Sequence, residues 1–311
     1  MSTPKYLYLT NIPKLHAELI RAECIALTGS VPNAEGIAIS ERCVDVKRGA
    51  YVKSCMEILF EGGSVSEICS QIRSTELHAK DFRVSIVKLP RNLKVDSMQT
   101  ARIIGRVIGG KVNLTQPQVL FLTVITNDKI WLGRRLSESD GRWVKHSRRP
   151  YTTSSSLPTR LARVMVNLIA SPEDRLLDPC CGTGTIVLEA AQMGMKVAGY
   201  DINPRMVGAT QKNLDYYGLS GEIRLGDARR ICSQSDAVVT DLPYGINMVQ
   251  NILRDREILQ NIRTLAPKAA FVDVRDLSKE LIDLGYRVEK VIPVPKHSIL
   301  RRIFLTATNA V

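Results

Sequence analysis

Three aspartates, Asp178, Asp201 and Asp227, each follow a short segment whose pattern predicts a β-strand. From residue 175 onward the chain alternates between strand and helix patterns, which predicts consecutive parallel strands in one sheet. Because the carboxyl ends of parallel strands meet at one edge of a sheet, the three carboxylates are expected to surround a single ligand. They could pair with an ammonium group, accept hydrogen bonds from the hydroxyls of a ribose and accept one from an adenine amino group.

A glycine-containing loop begins at Asp178, reads Asp-Pro-Cys-Cys-Gly-Thr-Gly and leads into a predicted helix over residues 186–193. Its glycines, Gly182 and Gly184, allow a tight turn and let the backbone approach a ligand closely. The loop lacks the third glycine of a dinucleotide-binding fingerprint and the Gly-Lys-Ser/Thr of a P-loop. The pattern therefore favours a small ligand without a diphosphate, and a purely structural glycine turn is the alternative.

The fourth predicted strand ends in Asp241-Leu242-Pro243-Tyr244, at the point where the strand order of such a sheet reverses. This stretch resembles the Asp/Asn-Pro-Pro-Tyr/Phe signature of methyltransferases that act on planar amino nitrogens, with Leu242 in place of the first proline. The lone pair of such a nitrogen is delocalised into the ring. A carboxylate that accepts its N–H groups can draw the lone pair towards the methyl group and stabilise the positive charge that develops. The signature assigns catalysis to Asp241, Pro243 and Tyr244, with the tyrosine ring stacking on the base; an ordinary turn is the alternative.

Residues 157–311 resemble the class I S-adenosylmethionine-dependent methyltransferases. The resemblance implies that the loop after Asp178 binds the methionine moiety of S-adenosylmethionine, that Asp201 binds its ribose and that Asp227 contacts its adenine. It also implies S-adenosylhomocysteine as the product and no metal ion. The implied cofactor-binding residues are Asp178, Pro179, Cys180, Gly182, Thr183, Gly184, Asp201, Ile202, Asp227, Ala228 and Asp241. In these enzymes an aspartate at the first position of the signature, which Asp241 occupies here, favours N2 of guanine over N6 of adenine.

The expected fold class is α/β, with a doubly wound, seven-stranded sheet in the second half of the chain. The predicted strands are Arg175–Leu177, Lys196–Tyr200, Glu222–Leu225, Ala237–Thr240, Ala269–Val274, Val288–Pro293 and Leu300–Thr306. A helix over 157–170 precedes them. The third strand, Glu222–Leu225, is expected at an edge of the sheet, where related tRNA methyltransferases are covered by a small zinc-binding activator protein.

The first 136 residues mix helix and strand patterns without regular alternation, and a helix is predicted over Tyr51–Phe60. Residues 103–114 resemble part of the THUMP RNA-binding domain, and residues 1–50 resemble the small α+β ferredoxin-like domain that often precedes it. With the stretch Arg-Arg-Pro-Tyr at 148–151, the chain resembles archaeal THUMP-containing tRNA guanine-N2 methyltransferases that modify position 10. The expected domains are a ferredoxin-like domain over 1–50, a THUMP domain over 51–136, a basic linker over 137–156 and a Rossmann-like methyltransferase domain over 157–311.

Charge is distributed unevenly along the chain. Residues 1–156 hold 23 Lys and Arg against 14 Asp and Glu, a net charge of +9, whereas the remainder carries +3. A basic half joined to a nearly neutral half favours a polyanion such as tRNA as the partner, although a solubilising surface gives the same imbalance. Basic and aromatic residues interleave around the expected linker, which suits contacts with phosphates and bases. The candidate RNA-binding residues are Arg134, Arg135, Arg142, Trp143, Lys145, Arg148 and Arg149.

Composition narrows the remaining classes. The seven cysteines include no Cys-x-x-Cys pair, which disfavours a zinc site and indicates reduced thiols. No signal peptide or long apolar run is visible, so a cytoplasmic location without membrane contact is expected. Two alternatives to a tRNA guanine-N2 methyltransferase remain: an N6-adenine methyltransferase acting on RNA or DNA, and a non-catalytic RNA-binding protein that keeps the fold.

Overall fold

The computed structural model describes residues 3–11, 16–243, 248–296 and 299–308, and these residues form two compact units. The first unit contains the described residues of 1–13, 27–47 and 51–139. The second contains those of 14–26, 48–50 and 140–311, so helix α1 (Ala17–Thr28) belongs to the second unit for most of its length. Within the described ranges, no helix combines the length and apolar character needed to cross a bilayer.

The first unit is built on one seven-stranded sheet. Its elements are β1 (Tyr6–Thr10), β2 (Ile37–Ser40), β3 (Val52–Gly62), α2 (Val65–Ser74), β4 (His78–Lys88), α3 (Ser97–Gly105), β5 (Gly109–Val112), β6 (Val119–Ile125) and β7 (Ile130–Glu138). The strand order is β2-β1-β3-β7-β6-β4-β5, so the ranges expected to form two domains, 1–50 and 51–136, share a sheet. Phe82, Phe121 and neighbouring aliphatic side chains fill a core beneath α2 and α3.

The prediction of a helix over Tyr51–Phe60 is wrong, because these residues form most of strand β3. The strand lies inside the sheet, where it pairs antiparallel with β1 on one side and with β7 on the other. Both partners are remote in sequence, and pairing on two sides outweighs the local pattern. The backbones approach so closely that a Cβ added to Gly133 of β7 would lie 2.1 Å from the carbonyl oxygen of Glu57.

The second unit contains the predicted seven-stranded sheet, now seen in the order β10-β9-β8-β11-β12-β14-β13. Its elements beyond α1 are α4 (Trp143–His146), α5 (Thr159–Ile169), β8 (Arg175–Asp178), α6 (Thr185–Gln192), β9 (Lys196–Asp201), α7 (Pro204–Tyr216), β10 (Glu222–Leu225), β11 (Ala237–Asp241), α8 (Met248–Leu265), β12 (Lys268–Asp273), α9 (Ser278–Asp283), β13 (Tyr286–Lys296) and β14 (Ile299–Thr308). Strands β8 to β12 run parallel to one another, and β14 pairs antiparallel with both β12 and β13. The order reverses between β8 and β11, and ligands of doubly wound sheets bind at such a point.

The segment expected to be a basic linker, 137–156, differs from an open linker. Trp143, His146 and Arg149 are buried. The Nδ1 atom of His146 lies 2.7 Å from a carboxylate oxygen of Glu189 in α6, and Arg149 donates a hydrogen bond to the hydroxyl of Thr185 at 2.8 Å. These polar contacts and the buried indole fix residues 143–149 against α6.

Arg163 in α5 is fully buried and connects three parts of the second unit. Its Nη1 contacts the Glu189 carboxylate at 3.2 Å, its Nη2 contacts Asp140 at 2.9 Å, and its Nε donates to the carbonyl of Arg48 at 2.9 Å. A buried charge is tolerated only when it is paired and its donors are used. The guanidinium therefore ties α6, residue 140 and residues 48–50 to α5.

We expect Arg163→Met to lower the free energy of unfolding by about 3–5 kcal/mol, because the Glu189 carboxylate would stay buried without its guanidinium partner. Arg175→Met is the matched control. Arg175 also pairs with a carboxylate, that of Asp236, but the two side chains are 57% and 42% exposed, so little change is expected. Urea denaturation of both variants checks the difference, and equal losses would contradict it.

Candidate active site

Four carboxylates lie at the tips of four neighbouring strands. Asp201, Asp178 and Asp241 end β9, β8 and β11, and Asp227 follows β10 by two residues. All four line one cavity of about 360 Å³, a volume within the range of small-molecule sites. The sequence predicted that Asp178, Asp201 and Asp227 meet around one ligand, and the structure brings these three together with Asp241. Other expected cofactor-binding residues that line the cavity are Pro179, Cys180, Gly182, Thr183, Ile202 and Ala228.

The glycine loop is held in place from two sides. The amide of Gly182 donates to a carboxylate oxygen of Asp201 at 2.9 Å, and its carbonyl accepts a hydrogen bond from Thr210 of α7 at 2.7 Å. Gly184 adopts a left-handed conformation, with φ of 81°, and precedes the first residue of α6. A Cβ there would lie 2.5 Å from the Thr210 side chain. Gly184 is thus required for the turn into α6, and it is not among the residues lining the cavity.

Asp178 is buried, with 1% of its surface exposed. Its carboxylate accepts hydrogen bonds from the Thr240 hydroxyl at 2.9 Å and from the Cys180 amide at 3.2 Å. Burial raises the pKa of Asp178 to about 7, and the neighbouring carboxylates Asp241 and Asp201 act in the same direction. Among the described residues no lysine or arginine forms an ion pair with it. A ligand cation entering the cavity would supply the charge that this carboxylate needs.

Asp227 has the opposite electrostatic environment. Arg229 contacts its carboxylate at 2.6 Å and also pairs with Glu257 of α8 at 3.1 Å. The Arg229 hydrogen bonds hold the pKa of Asp227 below its usual range. Arg229 itself lines the cavity, and the sequence analysis did not predict this. Its position two residues after Asp227 was the signal that could have indicated it. The cavity is therefore lined by one carboxylate that an arginine neutralises, Asp227, and by another, Asp178, that has no lysine or arginine partner among the described residues.

The residues after β11 explain the departure from the two-proline signature. Leu242 is 1% exposed and packs in the core beneath the sheet, and its amide donates to the carbonyl of Val272 in β12 at 3.2 Å. A proline at this position would lack that donor. Asp241 and Pro243 both line the cavity. Tyr244, the third residue expected to act in catalysis, lies outside the described residues.

A hydroxyl-rich stretch of the expected linker also lines the cavity, at Thr153, Ser155 and Ser156, and Leu157 follows it there. The Ser156 hydroxyl lies 3.0 Å from that of Thr183 in the glycine loop. Serine and threonine residues in a segment without helix or strand periodicity do not indicate where they pack. Their position at the cavity therefore could not be predicted from the sequence.

The candidate RNA-binding residues fall into groups with different surroundings. Arg134 and Arg135 lie on β7 of the first unit, the first exposed and the second paired with Glu138 at 2.6 Å. In the second unit, Arg142, Lys145 and Arg148 are exposed. Trp143 and Arg149 are buried there, so phosphate contact or base stacking stays a prediction for the exposed residues only.

Comparison with known proteins gives the family. Residues 146–255 match the UPF0020 family model, described as an RMKL-like methyltransferase domain. The tRNA (guanine(10)-N2)-dimethyltransferase of Methanothermobacter thermautotrophicus is 38% identical over 214 residues, covering 65% of this chain and 63% of that protein. A protein named probable tRNA (guanine(10)-N2)-dimethyltransferase from Methanothermococcus thermolithotrophicus is 35% identical over 139 residues, 40% of this chain and 84% of that protein.

The fold also matches a solved structure. TrmN from Thermus thermophilus superposes with a TM-score of 0.51 at 22% identity, over 98% of this chain and all of that one. The chain spans 63% of the length of the Methanothermobacter relative. With the family model, these similarities show that the chain belongs to the tRNA (guanine(10)-N2)-dimethyltransferase family.

Proposed function

We propose that this chain transfers a methyl group from S-adenosylmethionine to the exocyclic N2 of a guanine in tRNA, at position 10. The observation that carries the proposal is the set of four carboxylates on adjacent strand tips around one cavity. The names of the relatives support the substrate. The ferredoxin-like and THUMP ranges, 1–50 and 51–136, would supply tRNA affinity together with exposed cations such as Arg134 and Arg148.

The residues of the cavity fit S-adenosylmethionine. The buried Asp178 suits the ammonium group of the methionine moiety because a cation there offsets its burial. Asp201 keeps acceptor capacity for the ribose hydroxyls beyond the two backbone amides that it already binds. Asp227, with Arg229 beside it, borders the part of the cavity assigned to adenine. When bound, the cofactor supplies an electrophilic methyl group on a sulfonium.

Asp241 is the residue that would act on the target nitrogen. It sits at the switch point beside Asp178, on a strand tip fixed by the amide contact of Leu242 with Val272. Its carboxylate would accept the N–H groups of the guanine amine and stabilise the positive charge that develops there. Pro243 would keep the following carbonyls oriented, and Tyr244 would stack on the base.

A methyl-transfer assay tests the function. Labelled S-adenosylmethionine, an unmodified tRNA transcript and the purified chain should yield N2-methylated guanosine after nucleoside digestion. The control transcript carries adenine at position 10 and should stay unlabelled. Recovery of N6-methyladenosine would favour the adenine alternative, and tRNA binding without any methylation would favour the non-catalytic one.

A partner is also proposed at the edge of the sheet. Among the strands that the structure describes, β10 pairs with β9 alone, and Leu225 on β10 is 61% exposed. An unpaired strand edge with an exposed apolar side chain can pair with a strand of another protein or be covered by it. A small zinc-binding activator protein would cover it, and a turnover rate that stays the same when that protein is added would count against this partner.

Asp241→Asn is expected to reduce kcat by about a hundredfold or more, since one electrostatic contact to the developing charge is worth on the order of 3 kcal/mol. The affinity for tRNA and the melting temperature should stay close to those of the wild type. Asp236→Asn, immediately before the opposite end of the same strand, is the matched control and should keep the wild-type kcat. A normal kcat for Asp241→Asn would refute the role.

The raised pKa of Asp178 predicts a pH-dependent affinity for S-adenosylhomocysteine. Below a pKa of about 7 the carboxyl is protonated and cannot pair with the ligand's ammonium, so affinity should fall about tenfold for each pH unit as the pH drops. Isothermal titration calorimetry between about pH 8 and about pH 5.5 measures the change. Asp178→Asn should bind weakly at the upper pH and lose this dependence, and a wild-type affinity that stays constant would contradict the assignment.

A further inference from the structure

A second cavity, of about 490 Å³, adjoins the first. Thr153, Thr183 and Met206 line both cavities. The remaining lining residues come from the stretch before α5 and from α7, and they are Pro150, Tyr151, Thr152, Arg205, Gly208, Ala209 and Lys212. A ligand in this cavity would therefore lie beside whatever occupies the first.

Tyr151 combines an exposed ring with a fixed backbone. Its side chain is 41% exposed, yet its amide donates to the side-chain oxygen of Asn213 at 3.0 Å and its carbonyl accepts from the Asn213 nitrogen at 2.8 Å. Asn213 is fully buried and also donates to the carbonyl of Thr183 in the glycine loop at 2.9 Å. An aromatic side chain on a fixed backbone loses little conformational entropy when it stacks on a ligand.

Two cations, Arg205 and Lys212, line the same cavity as this ring. The Nζ of Lys212 lies 5.3 Å from the centre of the Tyr151 ring. Arg205 lies in the first turn of α7, and both it and Lys212 are exposed. Neither forms an ion pair with another described residue. An exposed ring with adjacent unneutralised cations suits a planar group joined to an anion, which is the chemistry of a nucleotide.

Resting on the proposed function, we propose that this second cavity is a subsite for a nucleotide that flanks the methylated guanosine. The base stacks on Tyr151, and Arg205 and Lys212 contact the phosphate. Because the second cavity adjoins the first, it suits one nucleotide of an RNA chain whose neighbouring nucleotide reaches the first cavity. Asn213 is a positioning residue here, because it holds the Tyr151 backbone against the glycine loop.

The test distinguishes stacking on the Tyr151 ring from phosphate contact by Arg205 and Lys212. Tyr151→Ala should raise the KM for tRNA about tenfold or more, as expected for the loss of one stacked base, and should weaken tRNA binding by a similar factor. Tyr151→Phe keeps the ring and should stay within about twofold of the wild type. The double variant of Arg205→Ala and Lys212→Ala should weaken binding and reduce the dependence of affinity on salt concentration.

Two controls are available in the same unit. Tyr216 is 65% exposed on α7 outside the cavity, and Lys196 is exposed at the amino end of β9. Tyr216→Ala and Lys196→Ala should leave tRNA affinity unchanged. The affinity of the Tyr151 and Arg205/Lys212 variants for S-adenosylhomocysteine should also stay at the wild-type value.

Several results would overturn the subsite. These are a wild-type KM for Tyr151→Ala, an equal loss in Tyr151→Phe, or a parallel loss of S-adenosylhomocysteine affinity, since the last indicates only a structural role. Fluorescence anisotropy with tRNA measures the binding step without methyl transfer. A wild-type chain that binds tRNA but never methylates it would therefore refute the proposed function, while the Tyr151 comparison would still decide the subsite.

Discussion

The charge of one buried guanidinium, that of Arg163, must be balanced within the protein, and much of the second unit is arranged around this requirement. Glu189 and Asp140 supply the opposite charges, and the carbonyl of Arg48 accepts a further hydrogen bond. Because Glu189 lies on α6, the same network fixes the helix that starts at the glycine loop. The interactions of Arg163 therefore help to position the glycine loop that lines the cavity together with the strand-tip carboxylates.

The cavity is electrostatically asymmetric, because one carboxylate is buried without a cation and another is paired with an arginine. Asp178 and Asp227 are the same residue type at the same edge of one sheet, yet the pKa of the first is raised by burial and that of the second is lowered by Arg229. A ligand with a cation at one end and a neutral hydrogen-bonding group at the other matches this gradient. It would bind in one orientation, since the reverse places its cation beside an arginine.

Local sequence patterns correctly predicted those parts of the fold that are determined by residues close together in the sequence. The seven strands of the second unit and the convergence of Asp178, Asp201 and Asp227 followed from apolar runs and the geometry of parallel sheets. The sequence could not show that Tyr51–Phe60 is a strand, because its partners β1 and β7 are remote. The packing of residues 140–156 could not be predicted either, because their contacts are also with residues remote in the sequence. The contacts of Tyr151 with Asn213 bridge 62 positions, and no periodicity marks such a pair.

The second unit is not continuous in sequence, and this affects the order in which the chain can fold. Glu23 of α1 accepts hydrogen bonds from the side chain of Asn167 at 2.7 Å and from the amide of Ala50, and 144 positions separate Glu23 from Asn167. Closing so long a loop is slow relative to local contacts. On the ribosome, at about 5–20 residues per second, α1 emerges seconds before α5 exists. The strands of the first unit can pair during that interval, so synthesis itself favours their folding ahead of the unit that holds the cavity.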